Sequence, residues 1–268
     1  VAITTYAGIY TGAVQQLQFS KIVTIGSSAS DPTLTFFWSG IPSAGGAGAS
    51  LSGNTRDNTS SGAIPFRNAS SGQNNYLSRF DHASSAPSTG KSVFIVDILW
   101  ITSAVSQVTT TQTINSVTFP SRDIDGSTAG RGVYIAMFHS TGYASSNAYT
   151  ATITYTNSAN TGSRVGTVSR TGGLANRWVP FGLAEGDEGV RSVQDFTFSA
   201  VPGTSGATVL LAYRPIALLS SILTTGGVPI SDTAMTLALP QLYDGTCLTI
   251  INMAGGNESY GTYTIAQG

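Results

Sequence analysis

The stretch Ala148-Tyr149-Thr150-Ala151-Thr152-Ile153-Thr154-Tyr155-Thr156 alternates with a period of two: Tyr149, Ala151, Ile153 and Tyr155 on one parity, Thr150, Thr152, Thr154 and Thr156 on the other. Successive side chains of a β-strand point to opposite faces, so the spacing predicts a strand with an apolar face on a core and a hydroxyl face toward water. Leu17, Phe19, Val23 and Ile25 alternate likewise, broken only by Lys21, and Phe196 and Phe198 alternate with Thr197 and Ser199. Val93–Ile101 is apolar on both parities except Asp97, which predicts a strand buried on both faces. Residues 33–38, 133–138, 207–213 and 246–253 complete the set of expected strands.

No amphipathic 3.6-residue pattern longer than two turns is present, and turns such as Asp125-Gly126, Asn160-Thr161-Gly162, Gly186-Asp187-Glu188-Gly189 and Asp244-Gly245 separate the strands. Strands at such spacing predict an all-β fold, a jelly-roll-like antiparallel β-sandwich. The exception is residues 39–90, rich in Gly, Ser, Ala and Asn, with few candidate strands. A stretch this long is either a flexible linker or a segment ordered by contact. Its anchors, Ile64-Pro65-Phe66 and Tyr76-Leu77-Ser78-Arg79-Phe80, favour ordering against a partner subunit, with Phe66, Tyr76 and Phe80 as candidate interaction residues. The expected organisation is an extended, loop-rich N-terminal arm and assembly segment over 1–90, a β-sandwich core over 91–219, and a C-terminal β segment over 220–268 that packs on the core or on a neighbour.

Composition narrows the function. Asp, Glu, Lys and Arg make up 9% of the 268 residues, with a net charge of −1, against about a quarter charged in an ordinary soluble domain. A near-neutral chain lacks the basic stripe that phosphate binding requires, so no nucleic-acid partner is expected. The most apolar stretch, residues 207–223, is interrupted by Arg214-Pro215 and makes a poor membrane span. The sequence opens without a basic region and cleavable apolar run, which leads to the expectation of a chain made and kept in a cytoplasm. Neutral hydroxyl and amide groups in place of charge suit a protein packed against copies of itself. The remaining charges concentrate over 122–131 and 185–195, leaving the two ends of the chain as the expected assembly surfaces.

Residues that could carry chemistry have blander alternatives. Asp123-Ile124-Asp125-Gly126 could open a calcium loop, but Ser127 and Tyr134 stand where the EF-hand pattern needs a ligand and a glutamate, so a tight turn is the better account. Glu185, Asp187 and Glu188 sit on one Gly-flanked turn, unlike a glycosidase pair converging from separate strands. Neither His82 nor His139 has a metal-ligand spacing, and no Gly-x-Ser-x-Gly elbow accompanies them. Cys247, the one cysteine, lies in an apolar strand-like setting and reads as a buried small hydrophobe. Trp100 reads as core, whereas Trp178, in Asn176-Arg177-Trp178-Val179-Pro180, reads as the exposed aromatic and a candidate interaction residue. The four threonines resemble one row of an ice-binding array, but a single strand is not an array. No catalytic residue, cofactor or metal is expected.

Several segments carry a family likeness. Asp97-Ile98-Leu99-Trp100, Thr110-Thr111-Gln112-Thr113-Ile114-Asn115-Ser116-Val117-Thr118-Phe119-Pro120, Gly182-Leu183-Ala184-Glu185-Gly186-Asp187-Glu188-Gly189-Val190-Arg191-Ser192-Val193 and Leu211-Ala212-Tyr213-Arg214-Pro215-Ile216-Ala217 resemble a group of tailed-bacteriophage virion structural proteins. Asp123-Ile124-Asp125-Gly126-Ser127, Ile153-Thr154-Tyr155-Thr156-Asn157 and Leu239-Pro240-Gln241-Leu242-Tyr243-Asp244 fit the same likeness. The resemblance implies a particle component without catalytic residues, of the capsid-decorating or auxiliary head type, in the virion after assembly in the host cytoplasm. The expected partners are itself, as a homotrimer, and the major capsid protein. The alternative is a carbohydrate-binding or adhesion module of a neck, tail or fibre, using exposed Trp178 or tyrosines. A third possibility, a glycan-degrading enzyme, would use Asp187 and Asp195.

Overall fold

The computed structural model describes residues 6–22, 34–36, 50–60, 62–84, 93–143, 147–173, 175, 177–203, 205–219, 230–231, 239–252 and 258–268. They fold as an all-β protein with one short helix, α1 (Tyr6–Gly12).

The organising strand is β5 (Val93–Ile101), the segment apolar on both parities, with every residue but Phe94 buried. Along one edge it pairs antiparallel with β12 (Ala207–Leu219), and its other edge is shared by β15 (Leu248–Asn252) and β3 (Asn54–Thr55). From β12 the sheet runs through β7 (Tyr134–Thr141), β10 (Arg177–Pro180) and β2 (Leu34–Phe36) back to β15. Because β12 also pairs with β5, this middle sheet closes on itself, and β3 is an appendage. Closure removes the free edges that an open sheet must protect. Inside it pack Val96, Ile98, Phe138, Trp178, Leu211, Tyr213, Cys247 and Ile251.

Residues on the outer face of this sheet bury two further sheets. On one side β6 (Gln112–Thr113), β11 (Val190–Phe198), β8 (Ala148–Asn157) and β9 (Arg164–Thr171) are hydrogen-bonded in that order. The odd residues of β8 are buried, as the alternation predicts, and with Val193, Phe196 and Phe198 they join one cluster with Leu99, Ile135, Met137, Val179, Leu210 and Ala212. On the other side β1 (Ala13–Ile22), β16 (Glu258–Gln267) and β4 (Asn75–Ser84) form a sheet, with β13 (Ile230–Ser231) and β14 (Gln241–Leu242) paired to β4. Leu77, Phe80, Tyr263 and Ile265 there cluster with Val93, Ile95, Leu248 and Ile250. Alternation along β5 thus serves three cores, and irregularities at Ala212/Tyr213 and Pro215/Ala217 of β12 adjust the register. Pro215, which has no N–H for the ladder, falls at the second of these, where a strand tolerates proline.

Two expectations change. Residues 39–90 hold a full-length strand, β4, where the sequence offered few candidates. The segments that composition sets apart at the two ends are paired to each other: β16 lies between β1 and β4. Residues 23–33 and 37–49, including Val23 and Ile25, lie outside the described residues.

Candidate functional site

Three of the four candidate interaction aromatics are in the core. Trp178 is 0% exposed, inside the closed sheet with its ring edge-on to Tyr213 at 4.3 Å. Phe80 and Phe66 are 1% and 7% exposed. Tyr76 alone is half-buried, on β4 opposite Ala266 and Gln241. The expectation of an exposed Trp178 is therefore corrected. Trp178 sits in β10 between β7 and β2, on the parity that points inward. Trp100 is buried as expected, its indole N–H donating to the Ser52 carbonyl at 2.7 Å. Cys247 is also buried, and desolvation pushes its thiol up to about 12.

Asp97, the one charged residue of β5, is the centre of a buried ionic cluster. Its carboxylate is 0% exposed and accepts from Arg122 Nε at 2.9 Å, Arg122 Nη2 at 3.2 Å and the Cys247 backbone N–H at 2.9 Å. Arg122 Nη2 also donates to the carbonyls of Arg56 and Ile98. Arg214 Nη2 lies 3.9 Å from Asp97 and donates to the Gln241 carbonyl, while its guanidinium stands 5.1 Å over the Tyr243 ring. This fork geometry is the one for which arginine is suited over lysine. The cluster ties β5 and β12 to the segments around residues 56, 122, 241 and 247.

Three other carboxylates of the charged mid-chain blocks, Asp123, Asp125 and Asp187, are likewise engaged. Asp123 accepts from the backbone N–H groups of Asp125, Ser127, Gly130 and Arg131 and from the Ser127 hydroxyl. It is the internal brace of a tight turn, as the sequence predicts, and Arg131 clamps the turn through Asp125. Asp187 accepts from Tyr155 Oη at 2.5 Å, Asn157 Nδ2 at 2.6 Å and Arg164 Nε at 2.9 Å. The Arg164 hydrogen bond is the largest cause holding its carboxyl down at about 2, reinforced by Tyr155 and Asn157 and opposed by desolvation. Gly130 and Gly189 bring the two turns together: a Cβ on Gly189, whose φ is +154°, would lie 2.1 Å from the Gly130 carbonyl oxygen. Asp195, the other enzyme candidate, lies on β11 opposite Thr113 and Thr154. His139 is buried, its Nδ1 2.8 Å from Thr208 Oγ1 and its Nε2 3.3 Å from Tyr149 Oη. Among the described residues no three His, Cys, Asp or Glu side chains converge on a metal-sized site.

What remains is surface. The outer face of the β6-β11-β8-β9 sheet sets Thr197, Thr152 and Thr167 side by side on three adjacent strands, with Thr150 bonded to Ser169 at 2.9 Å in the next row. The single-strand hydroxyl row read from the sequence is thus part of a multi-strand face. The alternation was legible in β8 and in part of β11; β9 was not, because it carries no clear apolar parity. A second feature is a polar groove of about 320 Å³ beside the ionic cluster, bordered by residues 73–75, 120–122 and 241–244.

No family model and no curated protein matches the sequence. Among solved structures, a chain from the structure of infectious bursal disease virus Gt strain is similar at 10% identity and a TM-score of 0.21, over 95% of this chain and 81% of that one. A chain from the Gx strain of the same virus gives 11% identity and a TM-score of 0.20, over 94% and 80%. At such TM-scores neither likeness bears on fold or function.

Proposed function

We propose that the chain is a structural component of a tailed-bacteriophage virion, one that decorates or cements the capsid as a homotrimer contacting the major capsid protein. The observation that carries this reading is the outer hydroxyl face on β11, β8 and β9, where Thr197, Thr152 and Thr167 and the Thr150–Ser169 pair form rows bordered by Asp195, Arg191 and the exposed Val165. The rows of neutral hydroxyls can be brought against another protein with less desolvation of ions than a charged face would require. The charges that would otherwise solvate such a protein are drawn inward: Asp97, Asp123 and Asp187 brace strands and turns. The sequence likeness to phage virion proteins supplies the particle, and assembly in the host cytoplasm follows from it.

Two measurements test the proposal. Light scattering on the purified protein is expected to give three times the 27.6 kDa chain mass. Gold-labelled protein is expected on the heads of purified particles in electron micrographs. Particles that carry no label anywhere would refute the virion assignment, and label confined to tails or fibres would refute the capsid-decorating role.

A further inference from the structure

The polar groove beside the ionic cluster has properties that bracing the fold does not require. Arg122 lines it although the residue is only 5% exposed. Its Nε and Nη2 are committed to Asp97 and to the carbonyls of Arg56 and Ile98, while Nη1 makes no hydrogen bond to any described residue. Gly245 keeps that nitrogen uncovered: its φ is +76°, and a Cβ there would stand 3.6 Å from Nη1. On the wall, Gln241 Nε2 donates to Asn74 Oδ1 at 3.1 Å, which leaves the Asn74 side-chain NH2 as a donor and Gln241 Oε1 as an acceptor. Asp244 spends one carboxylate oxygen on the Ala69 N–H at 2.9 Å and keeps the other. Ser121 adds an exposed hydroxyl at the rim.

Donors and acceptors therefore alternate around a space of about 320 Å³, near the lower end of small-ligand sites at roughly 300–1,000 Å³. Arg122 and Arg214 are balanced by Asp97 and Asp244, so the groove favours neither an anion nor a cation. One carboxylate is too few for a divalent cation. Groups that donate and accept at once are hydroxyls. The geometry points to a binding site for a neutral polyhydroxylated ligand, a pyranose unit of a glycan, held by Arg122 Nη1, Asn74, Gln241 and Asp244. Recognition is by hydrogen bonds and not by stacking, because Tyr243 is covered on one face by Arg214 and closely approached by Gly126. The site stands independently of the virion assignment and does not use Trp178.

Saturation-transfer NMR on the full chain, with methyl glycosides of glucose, galactose, mannose, N-acetylglucosamine and rhamnose as probes, tests it. At least one glycoside is expected to receive saturation. The signal should vanish in Ser121→Trp, which fills the groove from its exposed rim. Affinity should weaken about tenfold in Asp244→Asn, the scale of one charge-assisted hydrogen bond. Asn retains the acceptor for Ala69, so this second variant keeps its fold, checked by circular dichroism. Absence of saturation on every glycoside, or a signal that survives in Ser121→Trp, overturns the site. Sulfate binding that Ser121→Trp abolishes, with no glycoside bound, overturns it in favour of an anion site.

Discussion

Replacing Asp97 by alanine should be among the most destabilising single changes in the chain. The carboxylate is fully buried and receives Arg122 at 2.9 and 3.2 Å and the Cys247 N–H at 2.9 Å. Removing one partner of a buried ion pair costs about 3–5 kcal/mol, because the other charge stays buried without compensation. The orphaned Cys247 amide adds about 1–3 kcal/mol, though losses within one network are not additive. A total of about 4–6 kcal/mol is a large share of the roughly 5–15 kcal/mol that a folded chain has. At about 2–4 °C per kcal/mol for a chain of this length, the melting temperature should fall by roughly 10–20 °C. Guanidinium titration followed by circular dichroism should show the midpoint moving with little change in slope. Asp97→Asn, which keeps an acceptor for Cys247 but loses the charge, should fall between. The double replacement Asp97→Leu with Arg122→Met should recover part of the loss, since it removes the uncompensated Arg122 charge while still leaving the Cys247 N–H and Arg214 without their acceptor. A loss below about 1 kcal/mol in Asp97→Ala, or a double variant no better than the single, would refute the assignment of this cluster as the tie between layers.

Trp178→Ala should cost about 3–5 kcal/mol through the cavity it leaves, read as a lowered denaturation midpoint; an unchanged midpoint would contradict its burial against Tyr213. Deleting residues 1–90 removes β4 and the buried Ile64, Phe66, Leu77 and Phe80, at about 1.5–3 kcal/mol of burial each, so the truncated chain should be unfolded or insoluble; a native-like circular dichroism spectrum would contradict the pairing of β4 with β16. Asp187 sits at about 2, below its ordinary 3.8, so its stabilisation is complete above about pH 4 and is lost as pH falls toward 2. Melting temperature recorded between pH 5 and 2 should therefore fall less steeply in Asp187→Asn than in the parent protein. Thr152→Arg places a charge in the middle of the hydroxyl face and should yield a folded monomer by light scattering; an unchanged oligomer would move the interface elsewhere.

The parts of the fold legible in the sequence are those where one physical requirement acts alone. In β8, half-burial forces strict alternation, and in β5, burial on both faces forces a continuous apolar run broken by Asp97. β4 was illegible because Asn75, Ser78 and Arg79 interleave its apolar residues, and the buried Asn75 is satisfied by the Arg67 carbonyl and by Gln267, the latter far away in sequence. β10 is four residues long and carries Arg177 and Trp178 side by side, both buried; a segment that short has no periodicity to read. The candidate site fared similarly. Tight turns at Asp123 and Asp187 follow from local spacing, whereas the groove is assembled from residues 73–75, 120–122 and 241–244, which no local pattern could bring together. The one hint was Asp97 itself, a carboxylate in an otherwise apolar strand, which demanded a buried cation from elsewhere.

Scarcity of charge and the placement of charge are connected by that demand. An ion taken out of water is tolerable only when its hydrogen-bonding capacity is met nearly in full, and Asp97, Asp123 and Asp187 each receive at least three donors. Each sits where segments distant in sequence meet or where a turn must hold its shape, positions at which apolar packing supplies no directional preference. Arg122 reaches from its loop to β5 and to Arg56, and Arg164 reaches from β9 to the turn at Glu185. Charge used this way fixes register between layers, while the Thr197-Thr152-Thr167 row of the β6-β11-β8-β9 sheet is left to hydroxyls. The low charge of the chain is then most visible in that row, whereas the β1-β16-β4 sheet keeps an exposed Arg79 paired with Asp81 on β4.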